Sequence, residues 1–160
     1  MVKDRERQGG GDPLKVLIID GQGGGLGRQL VTAVKERYPQ TEVLAVGTNS
    51  LATGAMLRAG ADQAATGENS VVVASGRVDV IMGPVGIVIA DSMLGEITPG
   101  MALAVGQSRA KRILIPVNLC DNIIVGVSDS SMSRNVQNAV DALGTLMDRA
   151  QIRESGVTSL

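Results

Sequence analysis

Short, continuous apolar runs alternate along the chain with segments whose apolar residues recur every three or four positions. The run KVLIID at 15–20 is rich in β-branched residues and ends in Asp-Gly, which is typical of a buried parallel strand. Directly after it, Leu26, Leu30 and Val34 follow helical spacing and leave charged residues for the solvent side. The pattern therefore predicts a buried strand followed at once by an amphipathic helix.

The same alternation continues to the end of the chain. Further strands are predicted at 41–47, 63–65, 78–83 and 112–118, and a sixth at 123–127 (IIVGV). Further helices are predicted at about 51–59, 67–75, 98–108 and 136–147. Strand–helix alternation repeated this often favours a parallel sheet covered on both faces by right-handed crossover connections. The sequence thus predicts an α/β fold: a doubly wound, mostly parallel sheet of five to six strands (Rossmann-like) in three layers.

The length of 160 residues suits one domain, predicted at 14–152. Residues 1–13 are charged and then glycine-rich, and we expect them and residues 153–160 to form disordered tails. The first tail contains no apolar segment that would indicate a signal peptide. The apolar run at 71–90 is interrupted by an arginine and an aspartate, which argues against a membrane span. We expect a cytoplasmic protein.

Composition excludes several classes of chemistry. The net charge is −1, so no strong field favours nucleic acid or an anionic membrane as a partner. The chain has no histidine, which argues against zinc, haem and Ser-His-Asp sites. Its single cysteine, Cys120, excludes a disulfide within the chain, and we predict no metal site. Tyr38 is the only aromatic residue, and no lysine follows it at the Tyr-x-x-x-Lys spacing of short-chain dehydrogenases, so that chemistry is absent.

The stretch DGQGGGLG at 20–27 follows the first predicted strand and opens the first predicted helix. Gly21, Gly25 and Gly27 fit the G-x-x-x-G-x-G spacing of short-chain-dehydrogenase-like domains. With Gly24 in the middle, the stretch also fits the G-x-x-G-x-x-G spacing of their extended relatives. In this context one glycine permits the turn, one admits a pyrophosphate and the last lets helix and strand touch, while backbone N–H groups receive the anion. A tight turn that binds nothing is the alternative.

The residues predicted to bind a nucleotide lie in this loop and at the ends of two other strands. They are Gly21, Gln22, Gly23, Gly24, Gly25, Leu26, Gly27, Thr48, Asn49, Gly83 and Pro84. In open parallel sheets, ligands bind outside the carboxyl ends of the strands. A ribose-binding acid is expected after the second strand, but the chain reads Gly-Thr-Asn-Ser there. These hydroxyl and amide groups could hold a 2′-phosphate or a different nucleotide, although no arginine is near in the sequence. Thr48 or Asn49 could equally be only the N-cap of the second helix, and residues 83–86 only a rigid loop.

Four residues are candidates for catalysis at the same edge: Glu68, Asp91, Glu96 and Cys120. Glu68 and Glu96 could equally be charges that stabilise helix N-termini. Asp91 and Glu96 could pair as acid and base or hold Mg²⁺, although nothing in their spacing requires it. Cys120 has no neighbouring histidine, so a structural thiol is the alternative to a nucleophile. The apolar segment 85–90 is predicted as core, with a homodimer face as the alternative.

Six stretches carry a resemblance to a known family: IDGQGGGLG (19–27), GTNSLAT (47–53), MLRAGAD (56–62), ATGENSV (65–71), GPVGIVIADSMLGEITP (83–99) and ILIPVN (113–118). The chain resembles an uncharacterised family of short bacterial proteins that is described only as a domain of unknown function. The resemblance covers nearly all of residues 15–127. It implies a Rossmann-like cytoplasmic protein with these polar loops at one site and no assigned activity.

The sequence therefore predicts that the glycine-rich stretch binds a small-molecule nucleotide, NAD(P) or another adenine nucleotide. Two alternatives stay open. One is a small-molecule enzyme that uses the carboxylates or Cys120 at the same sheet edge. The other is a non-catalytic interaction domain whose glycines only permit close packing. The sequence does not decide whether a reaction is catalysed.

Overall fold

The computed structural model describes residues 12–117, 121–154 and 156. Its strands are β1 (Lys15–Asp20), β2 (Glu42–Gly47), β3 (Gln63–Thr66), β4 (Val80–Pro84) and β5 (Lys111–Ile115). The α-helices are α1 (Gly25–Arg37), α2 (Ser50–Arg58), α3 (Glu68–Ser75), α4 (Pro99–Gln107) and α5 (Met132–Glu154), and a 3-10 helix spans Val85–Val88. Strands and helices alternate along the chain as the sequence pattern predicts.

The five strands are parallel and lie in the order β3-β2-β1-β4-β5. In the central strand, Val16 lies opposite Val43 on one side and Val80 on the other. Residues 16–19 of β1 are fully buried because helices cover both faces of the sheet. The strand order reverses at β1, so the ligand-binding crevice of such a sheet falls between the carboxyl ends of β1 and β4.

Helices on both faces of the sheet give the molecule three layers. Alternate residues of a strand point to opposite faces. On one face, Val16 and Ile18 pack with apolar residues of α1, α2 and α5. On the other face, Leu17 and Ile19 pack with apolar residues of α3 and α4. The predicted doubly wound α/β fold is confirmed. None of the described helices combines the length and apolar character needed to cross a membrane.

The prediction of a sixth strand at 123–127 is wrong. None of the described residues 121–131 lies in a strand, and the side chains of Ile123 and Val125 are 91% and 93% exposed. A β-branched composition stabilises a strand only where a neighbouring strand supplies hydrogen bonds and packing. Among the described residues, β5 pairs with β4 alone, so the sheet ends at β5.

Some predictions fall outside the described part of the chain. Cys120 lies there, and so do most residues of the tails predicted at 1–13 and 153–160. Helix α5 extends to Glu154, two residues past the predicted domain boundary at 152. The role of the cysteine and the character of both tails stay predictions.

Candidate functional site

The connection between β1 and α1, with the first turn of that helix, forms a compact loop, here called the glycine loop (residues 21–27). The N–H of Gly24 donates to the carbonyl of Gly21 at 2.9 Å. Gly24 has a φ of 72°, a conformation that glycine adopts without steric cost. Helix α1 begins at Gly25 without a side-chain cap. The N–H groups of its first turn therefore need partners from elsewhere.

Three glycines of the loop lie in close contact with other parts of the chain. A Cβ on Gly24 would lie 2.7 Å from the backbone of α2. A Cβ on Gly27 would lie 2.8 Å from the Cβ of Asp20, where helix α1 touches β1. A Cβ on Gly21 would lie 2.6 Å from Oε2 of Glu96. Contacts with the backbone and with a Cβ account for glycine at positions 24 and 27, whereas at position 21 the nearest atoms are the ends of side chains.

Gly23 and Gly25 differ from the other three, because nothing in the described chain lies within 4 Å of a Cβ at either position. Both residues are exposed, and neither has a left-handed φ. Among the described residues, their N–H groups have no hydrogen-bond partner, whereas those of Gly21, Gln22 and Gly27 bind carboxylates. Neither packing nor backbone conformation explains these two glycines. The start of α1 thus has two exposed glycines whose N–H groups have no partner among the described residues.

Asp20, the last residue of β1, holds the glycine loop from beneath. Its Oδ1 accepts a hydrogen bond from the N–H of Gly21 at 2.8 Å, and its Oδ2 accepts one from Gly27 at 2.7 Å. Burial raises the pKa of this carboxyl, the backbone N–H groups of Gly27, Gly21 and Leu26 oppose that rise, and the charge of Glu96 adds to it. Asp20 is absent from the residues predicted from the sequence. The Asp-Gly pair that ends a buried strand was the available signal.

Glu96 reaches the same loop from the long connection between β4 and α4. Its Oε2 accepts hydrogen bonds from the N–H of Gln22 at 2.7 Å, from Oγ1 of Thr48 at 2.5 Å and from Nδ2 of Asn49 at 3.2 Å. Partial burial raises the pKa of Glu96, but the three hydrogen bonds outweigh it and hold the pKa below its usual value. Glu96 is therefore an ionised carboxylate beside the loop at neutral pH.

Thr48 and Asn49 connect the end of β2 to the glycine loop. Oδ1 of Asn49 accepts a hydrogen bond from the N–H of Ala52 at 2.9 Å, so this residue is the N-cap of α2, as the alternative interpretation expects. Its Nδ2 also donates to the carbonyl of Gln22 at 2.9 Å. Asn49 thus has both roles, because it caps a helix and fixes the loop that precedes α1.

The segment that carries Glu96, residues 89–98, is here called the strap. Met93 and Ile97 anchor it, since their side chains are 2% and 0% exposed. Asp91 and Met93 have left-handed φ angles of 64° and 52°, which are uncommon for residues with a side chain. Such backbone strain persists only where the surrounding contacts impose it, and it is concentrated at functional sites.

The other predicted binding residues lie at the end of β4. Gly83 and Pro84 are buried. A Cβ on Gly83 would collide with the carbonyl oxygen of Ile19, so close packing of β4 on β1 accounts for this glycine. Packing within the sheet therefore explains glycine at position 83 without a ligand.

Of the four candidate catalytic residues, the structure describes Glu68, Asp91 and Glu96, and no hydrogen bond joins their side chains to one another. Glu68 is exposed at the start of α3, and its carboxylate lies against Gly100 in the first turn of α4. Asp91 is exposed on the strap. Within the described residues, no hydrogen bond joins either side chain to Glu96. No cluster of three or more His, Cys, Asp or Glu residues that could hold a metal occurs in that part of the chain.

Two cavities lie away from the glycine loop. One of about 840 Å³ lies at the amino ends of the strands, where Leu14, Tyr38 and Met147 contribute to its wall. Another of about 280 Å³ lies between β2, β3 and α3, with Leu44 and Val73 in its wall. The glycine loop lines neither of them.

Comparisons with known proteins agree with the predicted family and add no activity. The model of a family described as a domain of unknown function (DUF3842) matches residues 15–148, which confirms the predicted resemblance. No curated protein matches the chain. Among solved structures, a dodecameric FMN-dependent UbiX-like decarboxylase from Escherichia coli O157:H7 is similar, with a TM-score of 0.41 and 18% sequence identity. The match covers 82% of this chain and 76% of that one, and a likeness at this level carries no argument about ligand or assembly.

Proposed function

We propose that this chain, which belongs to the DUF3842 family, is a nucleotide-binding protein. The proposed ligand is NAD(P) or another adenine nucleotide, with its phosphates on the glycine loop. The observation that carries the proposal is the pair of open glycines, Gly23 and Gly25. Each is exposed, each has open space where a Cβ would stand, and the described residues leave each N–H without a partner.

Gly25 is the more informative of the two, because it is the first residue of α1. Glycine inside a helix costs roughly 0.5–1 kcal/mol relative to alanine. The fold gains nothing from that cost, since an alanine methyl here would meet no atom within 4 Å. A ligand that approaches the backbone closely accounts for the glycine. Phosphate oxygens suit this place because they accept from free N–H groups and are favoured by the helix dipole.

The position of the loop in the sheet also supports a nucleotide. The loop follows β1, where the strand order reverses, and it stands at the carboxyl end of the sheet. In doubly wound folds this crevice receives a pyrophosphate, and the ribose lies toward the end of the neighbouring strand. That neighbour is β2, which is followed by the polar residues Thr48 and Asn49.

Two carboxylates near the loop restrict where the phosphate can bind. Both oxygens of Asp20 accept from N–H groups beneath the loop, and Glu96 takes the N–H of Gln22. The phosphate is therefore proposed at the remaining N–H groups, those of Gly23 and Gly25.

No catalytic step is part of the proposal. The pKa values of Asp20 and Glu96 are moved in opposite directions, as in many acid–base pairs. Asp20, however, is only 4% exposed and both of its oxygens are engaged by the backbone, so it cannot reach a bound molecule. The arrangement supports binding rather than proton transfer.

Thermal unfolding of the purified chain with a panel of nucleotides tests the proposal. The panel contains NAD⁺, NADP⁺, their reduced forms, ATP, GTP, FAD, FMN and coenzyme A. A ligand at about 100 times its Kd adds roughly 2.7 kcal/mol to stability, which raises the Tm of a chain of this length by about 5–10 °C. A panel without any rise refutes the proposal at physiological affinities.

The variant Gly23→Val tests whether the glycine loop is the site. Because no atom lies within 4 Å of a Cβ at this position, the variant should unfold at nearly the same temperature as the wild type without ligand. It should lose the ligand-induced rise, because the valine side chain enters the space assigned to the phosphate. A rise of full size in this variant would mean that the nucleotide binds elsewhere.

A further inference from the structure

We propose that Glu96 is the ribose-binding acid of this site and that it selects a ligand with a free 2′-hydroxyl over one with a 2′-phosphate. The inference rests on the proposed function, because it requires a nucleotide on the glycine loop. It depends on one juxtaposition: the strap brings the carboxylate of Glu96 to the end of β2, and the residues that directly follow this strand include no carboxylate.

The end of β2 lacks the acid that binds the ribose hydroxyl in doubly wound dinucleotide sites. Gly47 is followed there by Thr48 and Asn49. A carboxylate nevertheless stands at this point. Oε2 of Glu96 accepts from Oγ1 of Thr48 at 2.5 Å and from Nδ2 of Asn49 at 3.2 Å. The acid therefore comes from a segment far along the chain rather than from the strand end.

The same carboxylate is also held from the side of the glycine loop. Its Oε2 accepts from the N–H of Gln22 at 2.7 Å. Glycine at position 21 permits this approach, since a Cβ there would lie 2.6 Å from that oxygen. Glu96 is thus fixed between the loop and the end of β2, where a ribose attached to a phosphate on the loop would lie.

One oxygen of the carboxylate remains for a ligand. Every hydrogen bond that the described residues make to Glu96 ends on Oε2. An ionised carboxylate has about four acceptor positions on its two oxygens, so Oε1 is open to the hydroxyl groups of a ribose. A hydroxyl donates to this oxygen. A 2′-phosphate carries about −1.5 to −2 charges and only accepts, so the carboxylate repels it.

Within the described residues, no lysine or arginine neutralises the carboxylate of Glu96. Glu96 forms no ion pair with a lysine or arginine of that part of the chain. Arg28, in the first turn of α1, lines a groove with Thr32 and with Ser133 of α5, and no residue of the glycine loop or the strap lines that groove. Sites for a 2′-phosphate place an arginine beside it. This site places a glutamate there.

The strap holds Glu96 ready before a ligand arrives. Met93 and Ile97 are buried on either side of it, and Oγ of Ser92 donates to the carbonyl of Gly86 at 2.5 Å. A group that is already in place loses little conformational freedom on binding. Selectivity for the hydroxyl is therefore built into the unliganded protein.

Isothermal titration of the full chain with NAD⁺, NADP⁺, ADP and 2′-deoxy-ADP tests the proposal. Loss of one hydrogen bond to a charged group corresponds to at least about a tenfold weaker affinity. NAD⁺ should therefore bind at least about tenfold more tightly than NADP⁺, and ADP should bind more tightly than 2′-deoxy-ADP by a similar factor. If both ratios of affinities equal one in the wild-type chain, the proposed selection is wrong.

Three variants assign the selection to the carboxylate. Glu96→Gln removes the charge at nearly constant size, so both affinity ratios should fall toward one. Adding Thr48→Asp to that variant returns a carboxylate to the end of β2 and should restore the preference for NAD⁺. Leu94→Ala is the matched control, because this side chain is on the same strap and 100% exposed. It should keep both ratios.

The outcomes separate this inference from the function on which it rests. A folded Glu96→Gln that binds ADP with wild-type ratios overturns the role of Glu96 and leaves nucleotide binding intact. A wild-type chain that binds none of the four probes and none of the wider panel refutes the proposed function and this inference with it. If Glu96→Gln does not fold, the wild-type ratios still decide whether the selection exists.

Discussion

Replacing Gly25 by alanine should stabilise the unliganded protein and weaken nucleotide binding. The added methyl meets no atom within 4 Å, and the φ of Gly25 is not left-handed. Alanine in a helix interior is favoured by about 1 kcal/mol over glycine. Because Gly25 is the first residue of α1, we expect roughly half of that, about 0.5 kcal/mol, and a rise in Tm of about 1–2 °C.

The same methyl points into the space that the proposed phosphate occupies. A tenfold weaker Kd corresponds to about 1.4 kcal/mol. At a ligand concentration near 100 times the wild-type Kd, the variant would lose about 1.3 kcal/mol of ligand stabilisation. This loss exceeds the gain in the helix. The Tm of the variant should therefore be higher than that of the wild type without nucleotide and lower than that of the wild type with nucleotide.

Scanning calorimetry with and without nucleotide measures both effects. Gly106 provides a matched control, because it is also an exposed glycine in a terminal helical turn, that of α4, with no atom within 4 Å of a Cβ. Gly106→Ala should give a similar rise in Tm and keep the full ligand effect. A Gly25→Ala variant that is less stable without ligand, or that keeps the full ligand effect, would refute the reasoning.

Three further predictions concern the groups around the loop. Gly27→Ala should lower the free energy of unfolding by about 1–3 kcal/mol, because its Cβ would lie 2.8 Å from the Cβ of Asp20 in β1. An unchanged denaturation midpoint would show that α1 moves away freely. Asp20→Asn should cost about 1–3 kcal/mol, since one side-chain oxygen cannot accept from both Gly21 and Gly27, and a loss below about 0.5 kcal/mol in urea unfolding would contradict this. The pKa of Glu96 is lower in the folded chain than its usual value of 4.5. The ionised carboxylate therefore contributes its full stabilisation above pH 4.5, and this contribution is lost as the pH falls through the pKa of the folded state. The stability difference between wild type and Glu96→Gln should therefore shrink as the pH falls from about 6 to about 3, and a constant difference would argue against these hydrogen bonds.

The local part of the site could be predicted from the sequence. The run KVLIID and the glycines after it lie within a few residues of each other, so the pattern shows that a strand ends and a helix begins there. The polar residues after β2 were also predicted beside the loop, because the carboxyl ends of parallel strands meet at one edge. These predictions need only periodicity and the rules of sheet topology.

The role of Glu96 could not be predicted in the same way. The sequence marks it as a candidate acid or as a helix-terminal charge, but its hydrogen bond to Gln22 joins residues 74 positions apart. That contact depends on the left-handed residues of the strap, such as Asp91 and Met93, which no sequence pattern indicates. The prediction of a strand at 123–127 is wrong for a related reason. A strand there would need a neighbouring strand, which composition does not reveal.

The sequence by itself determined the order of strands and helices, the parallel sheet and the place of the glycine loop. It could do so because an element that is buried on one or two faces carries apolar residues at regular positions in the local sequence. Five glycines occur within residues 21–27, and in the sequence they look alike. Only the tertiary structure separates Gly21, Gly24 and Gly27, which lie in close contact with other segments, from Gly23 and Gly25, where a Cβ would meet open space. The atoms that make this distinction come mainly from α2 and the strap, and only folding brings these distant segments to the loop.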